Sequence, residues 1–521
     1  MRLNEKKTNF YCKQDFLNIL LIFYKIKNKE CGDSNKMARP SPLEIYARLD
    51  KSNCKDCGYA TCMEFATYIL ERKIRVVDCT HLMKDPKQVK NREKLIKLTT
   101  PPQKPVRIGV GKHECVIGGE EVLMRHQLTF YNKTGIFVEV QDNMGVDLDE
   151  TIKYLTDVKI ERMGDVLTVD GIALRCASGD GETFKTAAKK IVNISNLPVI
   201  LCSLNPDALL AAAGEIKDKK PLLYAATKDS WEKVGTFAVQ NNLPVAAVST
   251  DLDTLMSLSA TLQKLGVKEI VLDPGTFYGP GKLAATYDKI LQLRNVAIDK
   301  EDPNAGWPVM GVPAAYWSQV KIDGDKELWK HQFEEIIMGA IMESIDTSLI
   351  VLSTGRKKDE IWGLLALLTL RQSIFSDPRI YPAVDPGVYK IGEPNEMAPI
   401  FVTSNYRMTK IPVEQDLQSA HINCWLLVVN TEGIGIESGV AGGQFNASGI
   451  AEAANEYKVF EKVKHRILVI PGMAARLSGS LEEEANCFVV VGPRDSSAIP
   501  KFMETQWKPE QFMKDFAERG D

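Results

Sequence analysis

Little in this 521-residue sequence is in excess, and what it lacks excludes whole classes of function. Its 65 Lys and Arg nearly cancel its 68 Asp and Glu, for a net charge of −3. Without a basic surplus there is nothing to neutralise a phosphate backbone, so nucleic acid is not an expected partner. Long apolar runs are missing too. The longest, Ile361 to Leu370, ends at Arg371 and is about half of the ~20 residues that cross a bilayer. No G-x-x-x-x-G-K-[ST] loop and no C-x3-C-x2-C motif occurs, which removes P-loop nucleotide chemistry and the radical-SAM reading. Paired cysteines are also lacking, since eleven is an odd number. A secreted disulfide framework needs pairs, so the tally points to a reducing, cytoplasmic setting with some cysteines as metal ligands. What remains is 44% hydrophobic and 26% charged residues, the composition of ordinary globular protein. At roughly 150 residues per domain the length implies about three domains.

Residues 1–36 differ from the rest. They hold eight Lys and Arg against four Asp and Glu, leaving −7 on the remainder. The apolar patch Phe16–Tyr24 resembles a signal-peptide core, but Lys25-Ile-Lys-Asn-Lys-Glu30 follows it instead of a small-residue cleavage site. Met37 opens a clean start, so 1–36 is expected to be a non-native extension.

The strongest motif is Cys54-Lys-Asp-Cys57-Gly-Tyr-Ala-Thr-Cys62 followed by Cys79, a C-x2-C-x4-C-x16-C spacing. Two thiolates on one tight turn sit a few ångströms apart. The third opens a helix whose apolar face is Cys62, Phe65, Ala66, Ile69 and Leu70, at helical spacing. The fourth returns after that helix. Four soft thiolates without histidine suit zinc or a [4Fe–4S] cluster. The lack of a second C-x2-C knuckle favours the cluster, with Cys54, Cys57, Cys62 and Cys79 as ligands in a small helical module over 37–98. Cys176, Cys202, Cys424 and Cys487 lie in apolar strand-like runs and read as small core residues.

Thr99-Thr-Pro-Pro-Gln-Lys-Pro105 is a semi-rigid, proline-rich hinge, assigned to 99–106. Beyond it, eight short apolar runs alternate with helix-like segments. They start at Arg107, Ile136, Gly171, Pro198, Pro221, Pro244, Glu269 and Val312. Short buried strands separated by helices mean βα units and a parallel sheet, and eight of them predict a (β/α)8 TIM-type barrel over 107–340. Ser203, Asn205, Thr227, Lys228, Ser249, Asp251 and Asp273 follow these strands, and loop capping is the favoured reading of them. From 341 to 521 a second pattern begins, with runs at Leu349–Ser353, Pro399–Ser404, Cys424–Asn430, Arg466–Ile470 and Cys487–Val491. Five parallel strands of this kind make an open, doubly wound, Rossmann-like sheet with its ligand at the strands' carboxyl ends. The glycines at 433, 435, 439, 442 and 443 miss the dinucleotide fingerprint, whose third glycine position is Ser438.

A four-cysteine module, a barrel and an open α/β domain, in this order, resemble the large (gamma) subunit of the corrinoid iron–sulfur protein of the CO dehydrogenase/acetyl-CoA synthase complex. The resemblance covers nearly all of 37–521 and rests on Pro-Ser-Pro-Leu-Glu-Ile-Tyr46, the cysteine motif with Met-Glu-Phe-Ala66, Leu-Asp-Pro-Gly-Thr276, Phe-Val-Thr-Ser-Asn405 and Gly-Met-Ala-Ala-Arg-Leu-Ser-Gly479. It implies a methyltransferase subunit. A corrinoid held as Co(I) takes the methyl group of a methylated tetrahydropterin of the tetrahydrosarcinapterin type and exchanges it with the nickel site of acetyl-CoA synthase. The cluster returns the electron when Co(II) forms. By the same resemblance the partners are a smaller, barrel-bearing delta subunit forming a heterodimer, the acetyl-CoA synthase subunit and CO dehydrogenase.

Many cobalamin methyltransferases bind cobalt through D-x-H-x-x-G, and none of the six histidines here has that context. No protein imidazole is therefore expected on the cobalt, which eases reduction to four-coordinate Co(I). Strand-end position and resemblance together nominate Thr403, Ser404, Asn405 and Tyr406 as corrinoid-lining residues, with Gly433, Gly439, Gly443 and Gly472 behind them. The competing reading is an iron–sulfur electron-transfer or oxidoreductase subunit without corrinoid.

Overall fold

The computed structural model describes residues 40–70, 74–125, 127, 130–163, 165–279, 281–375 and 382–519; the extension read over 1–36 lies outside them. The chain divides into two compact units, one ending at Phe375 and the other comprising the C-terminal residues together with Lys159–Leu167.

The first unit begins with a helical module. Ser41 caps α1 (Pro42–Tyr46), its Oγ accepting from Glu44 N at 3.1 Å, as short hydroxyls do at helix starts. Then come α2 (Cys62–Leu70), α3 (Thr80–Lys84) and α4 (Val89–Thr99). Ile45, Leu49, Phe65, Ala66, Ile69, Val76, Leu82 and Leu95 close a small core of their own, on the α2 face anticipated from spacing. The linker that follows is tied at both ends. Thr100 N bonds Ile96 O at 2.9 Å, and beyond the prolines Gln103 is buried while Lys104 N bonds Gly306 O at 2.9 Å.

An antiparallel pair, β1 (Pro105–Ile108) and β2 (Cys115–Gly118), precedes the barrel. Eight βα units then follow: β3 (Gly135–Gln141) and α5 (Asp147–Asp157); after a small hairpin, β4 (Ile160–Arg162) with β5 (Asp165–Leu167), β6 (Gly171–Arg175) and α6 (Gly181–Ile194); β7 (Val199–Cys202) and α7 (Pro206–Ile216); β8 (Leu222–Ala226) and α8 (Trp231–Asn241); β9 (Val245–Val248) and α9 (Leu252–Leu265); β10 (Ile270–Asp273) and α10 (Lys282–Ile298); β11 (Met310–Gly311) and α11 (Asp325–Ser344); β12 (Leu349–Leu352) and α12 (Ile361–Phe375). All eight barrel strands are parallel, in the order β10-β9-β8-β7-β6-β3-β12-β11, and a bridge between Leu272 and Val309 joins the ends. The result is a nearly closed barrel of the TIM type.

Two strand assignments made from sequence are corrected here. The run at Arg107 belongs to the β1–β2 pair, because Gly109 and Gly111 take positive φ and turn the chain back on itself. Its place in the barrel is taken by Leu349–Leu352, which the sequence had placed in the next domain and which pairs with Gly135–Val138. The run at Val312 is also displaced: the strand is Met310–Gly311, and Pro313–Ser318 forms a 3₁₀ turn, as a proline without an N–H favours at a helix start.

The second unit carries β13 (Gly387–Ile391), β14 (Ile400–Ser404), α13 (Arg407–Ser419), β15 (Cys424–Val429), α14 (Ile436–Gly442), α15 (Ala447–Glu456), β16 (Ile467–Ile470), α16 (Ser478–Ala485), β17 (Phe488–Val491), α17 (Ile499–Thr505) and α18 (Pro509–Arg519). Its sheet runs β13-β15-β14-β16-β17, parallel except for β13. Alternate residues serve opposite faces. Ile400, Val402, Leu427, Val429, Leu468 and Ile470 pack with α14–α16 residues. Phe401, Leu426, Val428 and Val469 pack with Leu417, Ile499 and Phe502. The sheet is thus four parallel strands and one antiparallel edge strand, not five parallel strands. Strand order reverses beside β14, so the ends of β14 and β16 flank the switch point where open α/β sheets hold ligands.

Candidate functional site

Cys54, Cys57, Cys62 and Cys79 line one small pocket together with Leu49, Asp50, Asn53, Tyr59 and Phe65. The loop that carries the first three is shaped by left-handed residues at Lys51, Asn53, Lys55 and Gly58. Such turns aim successive N–H groups into a concavity, the arrangement that commonly cradles anions and iron–sulfur clusters. Three side chains fix the loop to the start of α2. Asn53 Oδ1 accepts from Cys62 N at 2.8 Å, Thr61 Oγ1 from Glu64 N at 3.1 Å, and Glu64 Oε2 from Ala60 N at 2.9 Å. Sequence reading passed over this trio, although Thr61-x-x-Glu64 before an apolar run is the capping-box signature.

Cys79 Sγ accepts from Leu82 N at 3.5 Å at the start of α3. Burial pushes its thiol up, and the neighbouring Cys57 adds to the effect; such a thiol becomes a ligand only by giving its proton up to a bound metal. Asp50, on the cavity wall, is bonded to His81 Nδ1 at 2.5 Å. Burial opposes its ionisation, but hydrogen bonds from Ser52 and the charge of His81 outweigh that and hold its carboxyl below the usual range. No three acidic, cysteine or histidine side chains converge on one ion position among the described residues. A four-iron cube takes each thiolate on a different iron, and all four thiols line this one pocket.

The eight C-terminal positions fare differently. Thr403, Ser404 and Asn405 are buried at the end of β14. The Thr403 and Ser404 hydroxyls have no hydrogen-bond partner among the described residues. Asn405 faces the next loop instead of open space: its Oδ1 accepts from Thr431 N and Oγ1 at 2.9 Å and from Gly433 N at 3.0 Å. Tyr406 precedes α13 and lies half-buried against Gly435. Gly433 and Gly443 have positive φ, and Gly443 is exposed at the end of α14. Gly439 packs on Phe445, where a Cβ would come within 3.2 Å, and at Gly472 a Cβ would meet Gly492 O at 2.9 Å. Those two glycines serve backbone packing. Along the barrel rim, Asn205 and Asp251 cap α7 and α9, and Ser203 and Ser249 bond their own loops, which is the capping role. Asp273 differs, accepting from Tyr224 OH at 2.7 Å inside the barrel mouth.

Residues 105–503 match the family model of the CO dehydrogenase/acetyl-CoA synthase delta subunit, and residues 49–81 match a model described as "Putative Fe-S cluster". The acetyl-CoA decarbonylase/synthase complex subunit gamma of Archaeoglobus fulgidus is 41% identical over 476 residues, 90% of this chain and 99% of that protein. The chain belongs to the gamma-subunit family of that complex. The gamma 2 subunit of Methanosarcina mazei is 39% identical over 475 residues, covering 90% and 99% of the two chains. Among solved structures, the dihydropteroate synthase of Xanthomonas albilineans aligns with 47% of this chain and 95% of its own at 12% identity, with a TM-score of 0.34. As a gamma subunit the chain is one component of a larger assembly, with an iron–sulfur module at its amino-terminal end. No helix among the described residues is long and apolar enough to cross a membrane.

Proposed function

We propose that the chain is the methyl-carrying subunit of its complex, working in the cytoplasm between a methylated tetrahydropterin and the nickel site of acetyl-CoA synthase. The observation that carries this reading is a four-thiol cavity within a chain of the gamma-subunit family. When bound, the corrinoid supplies a Co(I) nucleophile for the methyl group and the [4Fe–4S] cluster supplies single electrons that restore it. Cys54, Cys57, Cys62 and Cys79 hold the cluster, while Asn53, Thr61 and Glu64 set the loop that presents them. In the C-terminal unit, the buried hydroxyls of Thr403 and Ser404 wait for polar partners at the switch point. Asn405 fixes the Gly433 loop, and Tyr406 and Gly443 offer contact surface. With Gly439 and Gly472 needed for packing, the corrinoid-facing set is narrower than strand-end position implied. The delta subunit, the acetyl-CoA synthase subunit and CO dehydrogenase are the partners.

Metal analysis of the anaerobically purified complex component tests this. About four iron atoms per chain together with cobalt are expected. Iron without cobalt or a corrinoid absorption band turns the assignment to an electron-transfer subunit, and zinc in place of iron removes it.

A further inference from the structure

The connection between α5 and β6, residues 158–170, is longer than the about two to six residues that usually join a helix to the next strand. It folds as the β4–β5 hairpin, which forms a two-stranded sheet of its own and groups with the C-terminal unit. Arg162 and Asp165 face each other across a two-residue turn with Met163 left-handed at φ 54°, so Asp165 stands at the hairpin tip. In the C-terminal unit, α13 starts without the usual aids. Tyr406 gives it no side-chain cap, its first turn holds no acidic residue, and Arg407 puts a cation there. The first N–H groups of a helix carry a partial positive charge, which a cation opposes and a carboxylate offsets. Asp165 supplies the carboxylate from 242 residues away in sequence, both of its oxygens accepting from Arg407 Nη1 at 3.3 Å. Arg407 Nε is buried without a partner among the described residues, so this acceptor offsets the desolvation of the guanidinium. The two side chains are 27% and 45% exposed, which makes the tie modest and sensitive to salt.

Arg407 closes the turn that opens with Thr403 and Ser404. Two other ties hold this turn already. Arg407 N bonds Pro382 O at 2.8 Å and Val384 N bonds Asn405 O at 2.9 Å, while Asn405 Oδ1 takes the donors of the Thr431–Gly433 segment. We infer that Asp165 is a positioning residue for the corrinoid region: through Arg407 it fixes the start of α13 and with it the turn Thr403–Tyr406. The inference rests on the proposed function, which assigns the corrinoid to that turn, and adds the element that steadies it.

The test compares Asp165→Asn, Arg407→Gln and the double variant in the full chain, with Arg407→Lys as the conservative control. On the corrinoid-free chain, hydrogen exchange is read at the amides of Arg407, Thr409 and Lys410, which bond Pro382 O and Tyr406 O. Each single variant is expected to exchange there about two- to fivefold faster, the scale of a half-exposed ion pair. The double variant should be no faster than the singles, since one interaction is lost either way. With corrinoid bound, the same variants should shift the visible circular dichroism of the cofactor and release it about two- to fivefold faster, with iron content unchanged. Arg407→Lys should stay near wild type, because a single nitrogen engages Asp165. Losses that add up in the double variant, or no change in any variant, overturn the pair as a unit. Faster exchange with unchanged dichroism and retention leaves a structural contact and overturns the positioning role. A wild-type chain that binds no corrinoid removes the proposed function, and the inference with it.

Discussion

Glu343 is fully buried on α11, and neither of its carboxylate oxygens has a hydrogen-bond partner among the described residues. Burial pushes its carboxyl up to about 8, despite the opposing charge of Arg371. In an unfolded chain it titrates at about 4.3, so the folded barrel binds the extra proton between these values. Stability therefore falls as pH rises from about 4.5 to 8 and levels off above, because the folded state binds more protons throughout that window. Glu343→Met removes the dependence. At pH 8 the variant is expected to be more stable by on the order of 3 kcal/mol, read as a higher melting temperature, with little difference near pH 4.5. An unchanged melting temperature at pH 8 would falsify the assignment. Arg294 makes the opposite case. It is buried with Asp346 at 2.5 Å and donates to Leu123 O and Ile345 O at 3.0 and 2.8 Å. Removing one partner of a buried pair leaves an uncompensated charge, costing about 3–5 kcal/mol. Arg294→Met should therefore unfold the barrel at distinctly lower urea, and adding Asp346→Asn, which removes the charge and tolerates the left-handed backbone at 346, should recover much of the loss. Equal midpoints for the single and double variants would mean that the pair is not the unit of stability.

At the scale of elements, the cluster module was the most legible part of the sequence, since its spacing, its helix face and its cysteines lie within 26 consecutive residues, Cys54 to Cys79. The barrel was legible as a rhythm and less so as a roster. Arg107–Ile108 and Leu349–Leu352 are both short apolar runs, and only their pairing partners separate them. That information is non-local, carried by Gly135 and Cys115 and not by the runs themselves. The edge strand Gly387–Ile391 went unread because a half-exposed edge needs neither continuous apolarity nor strict alternation. In the C-terminal unit, strand-end position puts Asn405 just after β14, and what the sequence does not carry is the loop that its side chain meets. Its Oδ1 takes three donors from the Thr431–Gly433 segment, so it holds that loop. Asn405→Ala leaves two backbone N–H groups without their acceptor, at about 1–3 kcal/mol each before relaxation. The expected result is a chain that keeps its iron and its barrel but releases corrinoid faster on gel filtration. Asn405→Asp preserves the acceptor but sets a carboxylate oxygen against Val384 O and Asn430 Oδ1, so it should restore only part of the retention. Unchanged cobalt occupancy in the alanine variant would assign the loop no part in holding the cofactor.

At the scale of the molecule, the four thiols and the proposed corrinoid region lie on separate folded pieces, each with its own hydrophobic core. Their contributions should therefore be separable by substitution. Cys57→Ala removes one of the four proposed ligands, at a half-buried position on the loop. Its side chain packs only at the edge of the module core of Ile45, Phe65 and Leu95, and the barrel and the C-terminal sheet, which do not draw on that core, should fold as before. The variant complex is expected to lose the broad visible absorption of the cluster and most of its iron, and to keep its cobalt. After reduction by a strong chemical reductant it should complete one round of methyl transfer at close to the wild-type rate. Sustained turnover should fail by at least about tenfold when protein electron donors are the only source of electrons, because reactivation then depends on the missing cluster. Loss of both cobalt and single-turnover transfer would show the module to be structural for the whole chain. Undiminished turnover with protein donors would remove its redox role. Between these outcomes the proposed division of labour makes one commitment: the cysteines govern how long methyl transfer continues, and the residues around Asn405 govern whether it begins.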